Sequence, residues 1–335
     1  MNRLSLRFGS RLVYSCGIYL FLLLLCVFFQ VETGTFLTVR NLLNVLRQTS
    51  VNTILGVGMT MVIITGGIDL SVGAILALSA VLSTAVIMKG FPPPFPFPAD
   101  VAMKPEWPLW ASVPFAVLVA ALTGALCGIH NALPIVKLRV PPFIATLAMF
   151  SVARGFAYIY VGGGQVGNLP ERFTAAVGEG PLMPVVAISC VVVGHIVLSK
   201  TRFGRAIYAV GGNEQAAHLS GLAVGKVKFW VYVICGTLAG ISGLLLAGRI
   251  GAGDPKSGMT YELNAIAAVV LGGTSLMGGV GSVVGTLLGA IVMGCLEAGL
   301  SLMGVQWFVQ MVVKGYVILL AVIVDQTKKS RPVRA

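Results

Sequence analysis

Charged residues are scarce, at 10% of 335 positions, and only 11 of them are acidic. Soluble domains carry about 25% charge. A chain so poor in charge and 57% hydrophobic cannot cover a water-facing surface, so it reads as an integral membrane protein. Histidine is rare too: His130, His195 and His218 lie far apart. No segment reads G-x-x-x-x-G-K-[ST], so the chain lacks a P-loop for ATP. H-E-x-x-H, G-x-S-x-G and any His/Cys cluster are likewise missing. These absences argue against an enzyme and imply no cofactor and no metal. Six cysteines (Cys16, Cys26, Cys127, Cys190, Cys235, Cys295) sit in apolar stretches without a C-x-x-C. They read as packing residues rather than a disulfide framework.

What is abundant fits the same class. The 42 glycines allow close approach of membrane helices. The net charge of +12 would suggest nucleic acid in a soluble protein; here it reads as the basic bias of cytoplasmic loops, with no nucleic-acid partner. The start resembles a signal peptide, with Arg3, Arg7 and Arg11 before a long apolar run. That run exceeds an h-region and "QVETGTFL" offers no cleavage site, so an uncleaved first span is expected. A span needs about 20 apolar residues. Ten are expected, over 12–30, 48–67, 70–88, 109–133, 142–161, 182–199, 227–248, 263–277, 282–302 and 307–324, forming one transmembrane domain over 1–335. With both termini inside, the cytoplasmic segments hold about twice as many lysines and arginines as the outer ones. Residues 89–108, "KGFPPPFPFPADVAMKPEWP", form an extended outer loop, because proline precludes continuous helix. The longest inner loop runs over 200–228.

Two segments echo each other: "GGIDLSVGAILALSA" and "GGTSLMGGVGSVVGTLLGA". Gly-interrupted segments in matching halves suggest transporter repeats meeting at a pathway. Gly66, Gly67, Asp69 and Ser71 belong to the first, Thr274 and Ser275 to the second. Asp69 is the one charge in its stretch. A carboxylate facing lipid there costs about 2.5–3.5 kcal/mol on insertion scales. It could relay protons or ions, though no second acidic residue lies in a neighbouring span. It could line a solute path. Or Gly66-Gly67 breaks the helix and Asp69 and Ser71 cap the next one, near the inner surface where water or backbone N–H groups are at hand. Arg154 either snorkels or pairs in the bundle. Lys314 either pairs or faces a water-filled cavity. In the inner loop, Asn213 is a good N-cap, Glu214 and Gln215 open the first turn, His218 sits in the last, and Gly221 follows as C′. A two-turn helix is unstable alone in water, so it must dock on something, either the bilayer surface as a connector or a cytoplasmic partner.

The stretches "QTSVNTILGVGMTMVIITGGIDLSVGAILALSA", "VPPFIATLAMFSVARG", "YAVGGNEQAAHLSGL" and "YELNAIAAVVLGGTSLMGGVGSVVGTLLGA" fall in order across most of 40–325. Together they resemble the membrane permease subunit of a ribose-type ABC sugar importer. The resemblance implies an all-α, ten-helix fold of the cobalamin and iron-siderophore permease type. It also implies a second permease copy (identical or a close paralogue), a cytoplasmic ABC ATPase, a periplasmic sugar-binding protein and a monosaccharide substrate. The setting it implies is the bacterial inner membrane. By the same resemblance Asn213–Gly221 is the coupling helix. Relatives often carry Arg where this chain has His218. Phe143 and Thr146, in the second matching stretch, join Gly66, Gly67, Asp69, Ser71, Thr274 and Ser275 as residues of the path or its helix breaks. Binding-protein rims in the family are acidic, so Arg172, Arg249 and Lys256 are the expected docking cations. An ion-coupled secondary sugar transporter is the alternative; a capped loop helix without a P-loop favours an external ATPase.

Overall fold

The computed structural model describes residues 3–91, 95 and 105–329, with side chains only within 17–323. Thirteen α-helices follow one another: α1 (Arg3–Thr33), α2 (Val39–Ile64), α3 (Val72–Lys89), α4 (Leu109–Lys137), α5 (Pro142–Tyr160), α6 (Glu171–Thr174), α7 (Leu182–Lys200), α8 (Arg202–Gly212), α9 (Glu214–Leu219), α10 (Val224–Ile250), α11 (Tyr261–Leu271), α12 (Val283–Leu302) and α13 (Trp307–Lys329). A π-helical turn, Ala175–Glu179, follows α6. Among the described residues six helices (α3, α4, α5, α7, α10 and α12) are long and apolar enough to cross a membrane, and α1, α11 and α13 contain shorter apolar stretches.

The centre of the bundle is α3. It is apolar on every side, and nearly all its residues are buried, as expected of a helix with protein all around it. Around it, small residues decide which helices touch. Gly124 and Gly128 of α4 face Gly236 and Gly240 of α10. A Cβ on Gly128 would sit 2.8 Å from Cα of Val233, and one on Gly124 would overlap the Gly236 carbonyl. The two backbones therefore lie in direct contact, the close approach that small-xxx-small patterns permit. Gly272 and Gly285 do the same for the end of α11 and the start of α12. Hydroxyls add bonds between helices: Ser79 Oγ donates to Gly240 O at 2.7 Å, and Thr60 and Thr286 share a 2.6 Å bond between α2 and α12.

Each expected span falls on a helix, with two corrections. The eighth was expected over 263–277, but α11 stops at Leu271 because Gly272-Gly273 turns the chain, with Gly273 at φ +86°. The inner loop 200–228 contains a further helix, α8, that the pattern of small residues had hidden. Lys314 pairs with Glu297 of α12 at 2.9 Å, so it pairs within the bundle. Of the Pro-rich loop 89–108, residues 92–94 and 96–104 lie outside the described residues, as do the side chains of Cys16 and the terminal basic residues. Its base is closed by an ion pair between Lys89 and Glu106 at 2.8 Å and by Glu106 N–H donating to Met88 O at 3.0 Å.

Candidate functional site

The first break begins where α2 ends. Gly66 takes φ +79°, a left-handed conformation that suits glycine. Gly67 follows with the Tyr232 hydroxyl where a side chain would project. Asp69 is fully buried. Its Oδ1 accepts from the Ser71 N–H at 2.9 Å and from the Ser71 hydroxyl at 2.5 Å. The Ser71 oxygen accepts in turn from Asn131 Nδ2 of α4 at 2.8 Å. The capping expectation is thus corrected in detail. Asp69 is the acceptor, while Ser71 occupies the N-cap position without a capping bond of its own and links Asp69 to α4. A backbone N–H serves the carboxylate and protein encloses it. From α5, Thr146 is buried, with its hydroxyl bonded to Pro142 O at 2.9 Å and reaching Ile68 O at 3.4 Å.

The second break lies between α11 and α12. Thr274 and Ser275 are buried there. Ser275 N–H donates to Val280 O at 2.9 Å, closing a tight turn in which Gly278 and Gly279 have positive φ. Gly279 N–H donates to Ile64 O at 2.9 Å. Ile64 is the last residue of α2, so its carbonyl lacks an intrahelical partner and takes one from the opposite half. A Cβ on Gly278 would lie 3.2 Å from Gly66 N, so the two segments that echo each other in sequence touch.

Over this contact lies the loop 200–228. Thr201 caps α8 by accepting from Gly204 N–H at 3.1 Å. Gly204, Ile207 and Val210 form its buried face, and Tyr208 Oη donates to Gly281 O at 2.8 Å. The expected α9 forms as anticipated: Asn213 Oδ1 accepts from Ala216 N–H at 2.9 Å, and Gly221 has φ +82°. Glu214 also pairs with Lys228 of α10 at 2.7 Å. Gln215, His218 and Leu219 face outward, Leu219 with 87% of its surface exposed. Beside α9 a cavity of about 620 Å³ is lined by Val136, His218, Leu222, Lys226, Phe229 and Trp230.

The other expected residues lie apart. Phe143 is exposed on α5. Arg172 and Lys256 are exposed, whereas Arg249 is half-buried and donates to Asn44 Oδ1 at 3.2 Å. Arg154 is half-buried and binds the carbonyls of Pro255 and Ser257, which fastens the loop after α10 to α5. Asn131, Tyr208 and Gly279 escaped the sequence reading. Tyr208 had a signal in the Phe203, Ile207, Val210 spacing after a capping threonine; Asn131 had none, because its partner lies sixty residues earlier.

The family of permease components typified by the branched-chain amino acid transport system matches residues 41–322. The ribose import permease protein RbsC of Bacillus subtilis is 42% identical over 320 residues, covering 94% of this chain and 93% of its own. RbsC of Escherichia coli K12 is 42% identical over 316 residues, with 92% of each chain covered. The galactose/methyl galactoside import permease protein MglC of Escherichia coli K12 is 35% identical, covering 94% of this chain and 95% of its own. No solved structure matches. The glycine-broken helices and the capped loop helix thus sit in a multi-pass membrane protein whose matched residues span nearly its whole length, and the chain belongs to the family of branched-chain amino acid transport system permease components.

Proposed function

We propose that this chain is the membrane permease subunit of an ATP-driven ABC importer for a monosaccharide, with ribose first. The observation that carries the reading is 42% identity to ribose import permeases over almost the full length of both chains. The docked loop helix supports it. A short helix capped by Asn213, ended by Gly221 and left with an exposed Leu219 suits a groove in an ATPase subunit. A periplasmic binding protein delivers the sugar, and a second permease copy completes the path. In this reading the ten apolar segments span a bacterial inner membrane with both termini cytoplasmic, in the cobalamin-permease arrangement. Gly66, Gly67, Asp69, Ser71, Thr274 and Ser275 form the helix breaks along the path, and Phe143 and Thr146 of α5 line it beside them. Arg172 and Lys256 meet the binding protein, with Arg249 behind them.

The test is uptake in vesicles holding the permease, its ATPase and the binding protein. Collapsing the proton and sodium gradients at constant ATP should leave ribose uptake intact. Loss of uptake there would restore the ion-coupled reading.

A further inference from the structure

The geometry points to Gly211 as the residue through which the cytoplasmic loop moves both helix breaks at once. This rests on the importer reading above and adds to it: α9 meets the partner, and α8 is the lever. Three backbones converge at Gly211, in the last turn of α8. A Cβ there would fall on the Ile64 carbonyl of the first break and lie 2.6 Å from Gly279 N of the second. The two breaks are themselves joined at this point by the Gly279–Ile64 hydrogen bond of 2.9 Å. From the second break, a Cβ on Gly278 would lie 2.9 Å from Gly211 O, and one on Gly279 3.0 Å from Gly212 Cα. Tyr208, one turn earlier, holds Gly281 O at 2.8 Å. At Gly211 no side chain separates α8 from either break. A displacement of α8 is therefore passed on by backbone contact, without slack for a rotamer to absorb. Packed contacts of this kind are bistable rather than continuously deformable, which is what a switching element needs.

The neighbouring glycine provides the control. Gly212 lies on the same helix, and a Cβ there would meet nothing within 4 Å. Neither glycine has positive φ, so alanine strains neither backbone, and in a helix alanine is favoured over glycine. Gly211→Ala therefore acts only by wedging α8 off the breaks. The complete complex of permease, ATPase and binding protein is reconstituted in proteoliposomes, and sugar transported per ATP hydrolysed is read. Gly212→Ala should stay within about twofold of the wild type. Gly211→Ala should lower the ratio about tenfold, the scale of coupling between two sites, while the ATPase still co-purifies with the permease. An unchanged ratio in Gly211→Ala overturns the inference while leaving the importer reading intact. Absence of ATP-driven uptake in the wild type would instead sink the importer reading. Should Gly211→Ala not accumulate in the membrane, Tyr208→Phe decides, because it removes one hydroxyl bond and adds no bulk. A reduced ratio there supports the lever, and a wild-type ratio overturns it.

Discussion

Asp69 carries the argument at the scale of single residues. A buried carboxylate is tolerated here because two donors from Ser71 hold one oxygen. If the acceptor matters rather than the charge, Asp69→Asn should keep most of the fold's stability through its remaining carbonyl oxygen. Asp69→Ala leaves the buried Ser71 N–H and hydroxyl proton without their acceptor, at a cost of about 1–3 kcal/mol. Thermal unfolding of the purified permease in detergent should therefore rank wild type and Asn close together, with Ala well below. A larger loss in Asn than in Ala would assign the role to the charge. The sequence made the break legible as one of three readings of Asp69, because Gly-Gly before an Asp and a Ser is the local chemistry of a helix end and the next cap. It could not name Asn131, because nothing local in "CGIHNALP" marks which of several polar groups turns inward.

Helices were legible to different degrees, for physical reasons. α9 could be read because caps are local chemistry: Asn213 and Gly221 act within one turn of where they stand. α8 went unread because Gly204, Gly211 and Gly212 lower its propensity, and its packing against the breaks supplies what propensity lacks. α11 was read too long because an apolar run does not reveal where glycine turns the chain. Gly221→Val tests the α9 boundary. With φ at +82°, a β-branched residue costs about 1–2 kcal/mol there. The helix end should fray and transport-coupled ATP hydrolysis should fall, with the permease still inserted. Survival of both uptake and coupled hydrolysis would remove α9 from the coupling path. The α4–α10 seam gives a second test. Gly236→Leu must separate two touching backbones, so the protein should lose its monodisperse peak in size-exclusion chromatography. A wild-type profile would mean that the seam opens without consequence.

For the molecule as a whole, apolar runs gave the chain order of the longer helices but not the total of thirteen, while the identity of neighbours came from where small residues fall on each face. Docking is decided at this scale. Arg249 spends its guanidinium on Asn44, so reversing its charge would disturb α2 against α10 as well as any rim contact. Arg172 and Lys256 are exposed and give the cleaner test. Rim charges mainly tune on-rate. Arg172→Glu with Lys256→Glu should slow binding-protein association, and more so at low salt, where screening is weak. Association rates unchanged at both salt concentrations would move the docking surface elsewhere.

The burial of α3 has a consequence for how the protein is made. During synthesis α3 leaves the ribosome well before α10, its neighbour across the Ser79–Gly240 bond. At about 5–20 residues per second, the wait for α10 lasts on the order of ten to thirty seconds. Through that interval the face of α3 that packs on α10 lacks that partner, while α4 and α5, which also pack on α3, are already made. Its polar side chains are suited to the delay: Ser83 bonds to Ser79 O at 2.6 Å and Thr84 to Ala80 O at 2.7 Å, both within α3 itself. These hydroxyls need no partner from later in the chain. Of the three hydroxyls on α3, only that of Ser79, with its bond to Gly240, must wait for the translated sequence to catch up.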